Sequence, residues 1–126
     1  MRVLVVDDHR NTRESLALGL SVLGHEPDVA DSASEALSRL EERTYCWLIC
    51  DVRMPGTNGV EFAPVARRTQ PDLGLILMTA YDVSEEERRV IDALGALLVI
   101  KPVTAATLAS LCAARTEHPL DEEPHR

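Results

Sequence analysis

A chain of 126 residues with 21 acidic and 13 basic side chains, net charge -8 at pH 7, has the length of one domain. Its charge excludes direct binding of nucleic acid or an anionic membrane by the chain as a whole. No apolar run reaches membrane-spanning length, and Met1 leads almost directly into a strand-like segment, so neither a transmembrane helix nor a signal peptide is expected.

In chain order, Arg2-Val3-Leu4-Val5-Val6 is a β-branched apolar run that reads as a strand delivering Asp7-Asp8 to its carboxyl end. Asn11-Thr12-Arg13-Glu14 has capping-box spacing, followed by Leu16, Leu20 and Leu23 on one helical face and Gly24 as a C-cap. Asp28-Val29-Ala30, after Pro27, is a short strand belonging near a sheet edge. Ser32-Ala33-Ser34-Glu35 caps a second helix with Ala33, Ala36, Leu37 and Leu40 on one face. Trp47-Leu48-Ile49-Cys50 is apolar and too short for a helix, so it predicts a buried strand ending at Asp51, with breaker-rich Met54 to Gly59 as the loop beyond. Asn58-Gly59-Val60-Glu61 is another capping box, and Pro64, beyond the first turn, should kink its helix or shift its start. Leu75 to Met78 is a fourth strand ending at Thr79, and Ser84-Glu85-Glu86-Glu87 caps a helix carrying Val90, Ile91 and Leu94 and closed by Gly95. Leu97 to Ile100 is a fifth strand ending at Lys101-Pro102, and Thr104 caps a last helix with Ala105, Leu108, Ala109 and Cys112 on one face. From Arg115 onward the composition is that of a polar, acidic tail or the start of a linker. The odd set Cys46, Cys50 and Cys112, in or beside apolar segments, suits buried thiols in a reducing cytoplasm better than a disulfide or zinc framework.

Strands that are apolar throughout, alternating with helices, predict a parallel sheet covered on both faces: a doubly wound (βα)5 three-layer sandwich of the flavodoxin-like kind. With strand order 2-1-3-4-5, the switch point falls between the first and third strands, which carry Asp7-Asp8 and Asp51. Three carboxylates in one small volume would hold protons at neutral pH unless a cation neutralised them. A hard divalent ion with oxygen ligands answers that need, and Mg²⁺ keeps coordination positions open to a phosphate oxygen. The pattern therefore predicts a phosphate-binding or phosphoryl-transfer site, while capping of the first helix remains the simpler role for Asp7-Asp8. Lys101 is the sole lysine among the 13 basic residues, and it stands at the end of the fifth strand, where an ammonium on a flexible stem can reach a phosphoryl oxygen. Thr79 can donate its hydroxyl to the same oxygen.

Asp7-Asp8, Asp51 within Asp-Val-Arg-Met-Pro-Gly-x-x-Gly, Thr79-Ala80 and Lys101-Pro102 together resemble the receiver domain of two-component response regulators over residues 1–115, with 116–126 as tail or linker. The resemblance implies a cytoplasmic phospho-acceptor rather than an enzyme acting on a separate substrate. It implies that Asp51 takes a phosphoryl group from a sensor histidine kinase or histidine phosphotransfer protein and later loses it slowly to water. It further implies Mg²⁺ (or Mn²⁺) held by Asp8, Asp51 and the Arg53 backbone carbonyl, with Asp7 acting through water. Thr79 and Lys101 would hold the phosphoryl oxygens, and the Lys101-Pro102 peptide would be cis. The family's partner and dimerisation face corresponds to Ser84 to Leu94, Leu97 to Ile100 and Thr104 to Ala114.

The chain departs from the family where a switch aromatic precedes the lysine by three residues: Leu98 stands there, and the segment from Gly95 to Lys101 is one residue shorter. Tyr81 is the remaining candidate for part of that switch role alongside Thr79. Two other readings compete with this one. Haloacid-dehalogenase-like phosphatases need Asp-x-Asp after the first strand, where this chain has Asp7-Asp8-His9. A pseudo-receiver, a phosphorylation-independent binding module on the same fold, is kept open by Leu98. His9, His25, His118 and His125 show no ligand spacing and are expected on the surface.

Overall fold

The computed structural model describes residues 1–117. Ten elements alternate: β1 (Arg2–Val6), α1 (Arg10–Val22), β2 (Glu26–Ala30), α2 (Ala33–Glu42), β3 (Trp47–Asp51), α3 (Gly59–Thr69), β4 (Gly74–Thr79), α4 (Glu85–Ala93), β5 (Leu97–Ile100) and α5 (Ala105–Glu117). The strands form one parallel sheet in the order β2-β1-β3-β4-β5, the flavodoxin-like (βα)5 arrangement. Among the described residues, no helix is long and apolar enough to cross a membrane.

Alternation along each strand divides the interior in two. Val3, Val5, Trp47, Ile49, Ile76 and Met78 face Leu16 and Leu20 of α1 and Leu108 and Cys112 of α5. Leu4, Val6, Leu48, Cys50, Leu75 and Leu77 face Ala36 and Leu40 of α2, Phe62, Ala63 and Ala66 of α3 and Ile91 of α4. Each fully buried aliphatic side chain contributes about 1.5–3 kcal/mol of transfer free energy, so both faces drive the sheet shut. β2, interrupted by Pro27, lies at an edge, where a missing amide is tolerated.

The capping pattern holds for three helices. Ser32 accepts from the Glu35 amide (3.1 Å), Asn58 from Val60 (2.6 Å) and Ser84 from Glu87 (3.0 Å). Thr104 likewise accepts from the Thr107 amide at 3.1 Å. Gly24 and Gly95 adopt φ of 96° and 65°, and the amides of His25 and Ala96 close back onto Leu20 and Ile91 (3.0 and 3.1 Å), a Schellman ending in both cases.

Several expectations are corrected. The Asn11-Glu14 capping box does not form: α1 begins at Arg10 with His9 as N-cap, and Glu14 pairs with Arg10 instead (3.0 Å). Pro64 sits inside α3 without shifting its start, because Asn58 and Glu61 fix that end with a reciprocal box. Cys46 is exposed, since it occupies the bend before β3. His25 is half-buried, its Nδ1 3.4 Å from the Met1 amino group. Helix α5 continues through Glu117, past the expected onset of the tail. The rest of that tail, with His118 and His125, lies outside the described residues.

Candidate functional site

Parallel register is what brings the strand ends together. Val6 pairs with Cys50, Asp51 with Met78 and Thr79 with Ile100, so Asp7, Asp51, Thr79 and Lys101 stand side by side on the carboxyl edge. Asp7, Asp51 and Thr79 are buried polar residues at 0, 4 and 0 % exposure. Lys101 Nζ bridges the two carboxylates, 2.9 Å from Asp7 Oδ2 and 3.3 Å from Asp51 Oδ2. Its backbone amide donates to the Thr79 carbonyl at 2.8 Å, and its bond to Pro102 is cis.

Burial pushes the Asp51 carboxyl above its ordinary value, helped by the negative Asp7, against the pull of Lys101. Burial also disfavours the Lys101 ammonium, but its bond to Asp7 and the charges of Asp7 and Asp51 outweigh that and raise its pKa. A single ammonium does not neutralise both buried carboxylates, and half-buried Asp8 adds a third negative charge beside them.

Carboxylate oxygens of Asp7, Asp8 and Asp51 and a ring nitrogen of His9 all lie within 4.8 Å of one another. Asp7 is already engaged, with Oδ2 on Lys101 and Oδ1 accepting the His9 amide at 2.9 Å. Asp8 Oδ1, by contrast, is buried and has no hydrogen-bond partner among the described residues. The His9 ring nitrogen is only 3.4 Å from it, a charge proximity without hydrogen-bond geometry. A buried, unsatisfied carboxylate oxygen facing an excess of negative charge fits a hard divalent cation, so the donor set passes this test for Mg²⁺. His9 corrects the sequence reading in part: its side chain is exposed as expected, yet the turn after β1 folds its Nδ1 to 3.3 Å from Asp7 Oδ1.

The loop after β3 is held close to Asp51. The Arg53 amide reaches Asp51 Oδ1 at 3.4 Å, and the Gly59 amide donates to the Val52 carbonyl at 2.8 Å. A Cβ at Gly59 would lie 2.3 Å from the Asp51 carbonyl oxygen, so only glycine lets α3 begin there. The Thr79 hydroxyl donates to the Tyr81 carbonyl at 2.8 Å. Tyr81 is 75 % exposed, and Leu98 packs half-buried against the core beneath α2, α3 and α4. Thr79 thus stands on the same strand edge as the acidic cluster with its hydroxyl held by Tyr81, and neither Leu98 nor Tyr81 belongs to that cluster. Sequence reasoning missed the partner of Arg53, whose guanidinium is paired with Glu87 at the start of α4 (2.9 and 3.2 Å). Glu87 at the third position of its capping box was the available signal.

A sequence model of the response regulator receiver domain matches residues 3–113. The chain is 35% identical over 123 residues to the response regulator protein FleR of Pseudomonas aeruginosa, covering 98% of this chain and 25% of that relative. The chain thus spans about a quarter of that relative's length. Among solved structures, a CheY-like response regulator receiver domain protein from Methanospirillum hungatei superposes with a TM-score of 0.86 at 27% identity, covering 97% of this chain and 98% of that one. Response regulator TrrA from Thermotoga maritima, solved in complex with Mg²⁺-BeF, superposes at 0.76 with 34% identity, covering 90% and 96%.

Proposed function

Because the chain belongs to the response regulator receiver domain family, we propose that Asp51 accepts a phosphoryl group from a phosphohistidine on a sensor histidine kinase or phosphotransfer protein, in the cytoplasm. The observation that carries this reading is the Lys101 bridge between Asp7 and Asp51, with the unsatisfied Asp8 oxygen beside it. An Asp51 oxygen attacks the phosphorus, the bond to the donor imidazole breaks, and the imidazole departs with a proton. Asp8, Asp51 and the Arg53 carbonyl would hold Mg²⁺, or Mn²⁺, with Asp7 acting through water. The bound cation would supply charge neutralisation between two anions that otherwise repel.

The chain's own groups do the positioning. Lys101 offers its ammonium to the incoming oxygens from a fixed point, and Thr79 must give up its bond to the Tyr81 carbonyl to donate to them. That exchange makes Thr79 the first moving part of the switch, with Tyr81 as its bonded neighbour on the β4–α4 loop and Leu98 two residues before its β5 partner Ile100. Phosphorylation would then alter a partner or homodimer face formed by α4, β5 and α5. No observation at the site favours the phosphorylation-independent binding module.

Intact-protein mass spectrometry after incubation with acetyl phosphate and Mg²⁺ tests the reading. A single phosphoryl adduct, abolished by chelation and by Asp51→Asn, is expected. An unmodified mass under conditions that label a standard receiver, or an adduct that survives Asp51→Asn, overturns it.

A further inference from the structure

Arg53 follows the acceptor by two residues, and its amide already touches Asp51, yet its guanidinium is turned away onto Glu87. Glu87 accepts more than that fork: Oε2 also receives Asn58 Nδ2 at 3.2 Å, and Oε1 receives the Ser84 amide at 2.9 Å. One carboxylate thereby ties the acceptor loop, the N-cap of α3 and the first turn of α4. The Glu87 side chain is 19 % exposed and that of Arg53 48 %, so the guanidinium end of the pair is open to exchange. Leu98 meanwhile offers no aromatic ring to carry a signal from the site to this face.

We propose that Glu87 is a positioning residue that holds the Arg53 side chain off Asp51, and that phosphorylation of Asp51 draws the guanidinium away and loosens α4 at its N-terminus. This rests on the phospho-acceptor reading above. The physical reason is a competition for one guanidinium. With Mg²⁺ and Lys101 in place the three carboxylates are balanced, so phosphorylation leaves about one uncompensated negative charge, spread over phosphoryl oxygens beside the Arg53 amide, and both that anion and Glu87 suit the bidentate fork. Glu87 retains its Ser84 and Asn58 donors after release, so α4 stays capped and only its tether to the acceptor loop is lost. The Arg53–Glu87 pair then links the site to α4 without an aromatic at position 98.

The test measures amide hydrogen exchange by NMR on the whole chain, wild type, Glu87→Gln and Arg53→Gln, with and without acetyl phosphate and Mg²⁺. Adduct formation and decay are followed in parallel by intact mass. In wild type, phosphorylation should lower protection of the amides of residues 85–88 by about threefold or more, the scale of one lost ion pair. Both variants should show that lower protection without phosphorylation and change little on labelling. Glu87→Gln, which frees Arg53 at the acceptor, should also shift the half-life of the phosphorylated form by about threefold or more, an effect that capping alone would not produce. Labelled wild type with unchanged protection, or a Glu87→Gln half-life equal to wild type, overturns the proposal. Absence of any adduct in wild type overturns the phospho-acceptor reading and this one together.

Discussion

Gly59→Ala should damage the site through the backbone alone. The new Cβ would lie 2.3 Å from the Asp51 carbonyl oxygen, 3.0 Å from Val52 Cα and 3.1 Å from the Asp51 carbonyl carbon. Ordinary contact is about 3.5–4.0 Å, so roughly 1 Å must be found by moving α3 away from β3, with no flexible side chain to yield. Overpacking of this kind costs about 1–3 kcal/mol, offset by less than about 1 kcal/mol from alanine's better helix propensity. The expected net loss is roughly 1–2 kcal/mol, several degrees in Tm for a chain of this size. Because the strain bears on the peptide that carries Asp51 and Arg53, labelling by acetyl phosphate should slow by roughly 10- to 100-fold. Gly24→Ala supplies the control. Its φ of 96° imposes backbone strain with nothing within 4 Å of the new atom, far from the acidic cluster. Thermal denaturation should show both variants destabilised to a similar degree, and intact mass should show only Gly59→Ala slow to label. Equal labelling rates in the two variants would refute the reasoning.

Four further outcomes are expected. Lys101→Met leaves Asp7 and Asp51 without their shared ammonium and should slow labelling by about 10²–10³-fold, as read by intact mass. Asp51→Asn should stabilise the chelated protein at pH 7. The folded-state pKa of Asp51 is raised, so its ionisation opposes folding above that pKa, and the gap to wild type should close as the pH of urea melts falls towards 3.8; a pH-independent gap would contradict this. Tyr45→Phe removes a 2.6 Å bond from a buried hydroxyl to Asp28 and should cost about 1.5–3 kcal/mol in urea melts. Burial first, then Asp28, pushes that phenol up to about 12 from 10.0, so wild-type stability should fall as pH rises between those values, a loss that the Phe variant lacks. In a thiol-reagent assay, exposed Cys46 should react quickly in the native protein, while Cys50 and Cys112, raised chiefly by burial, should wait for unfolding.

Much of the fold was legible because β1, β3 and β4 are buried on both faces and so read as uninterrupted apolar runs, each closed by a polar residue. Asp7, Asp51, Thr79 and Lys101 were legible for the same reason, since a parallel sheet gathers its strand ends by register. Asn11 misled because helix starts compete: the Asp7 carboxylate takes the His9 amide, and the helix begins before Asn11 can cap it. Pro64 did not shift the start of α3, because a capping box outweighs one missing amide in fixing a helix start. The Arg53–Glu87 pair joins residues 34 apart that share no strand register, and only the meeting of two loops in space reveals it.

Lys101 as the chain's sole lysine also has a practical consequence. Amine-directed acylation of side chains can occur at one position, inside the acidic cluster, where the ammonium is held charged by Asp7 and Asp51 and hence unreactive. Its modification rate is therefore a built-in gauge of the site's electrostatics. Neutralising Asp51 should quicken acylation, and any event that draws the ammonium onto a new anion should slow it further. One peptide in a digest would report the state of the whole cluster, with no engineered label.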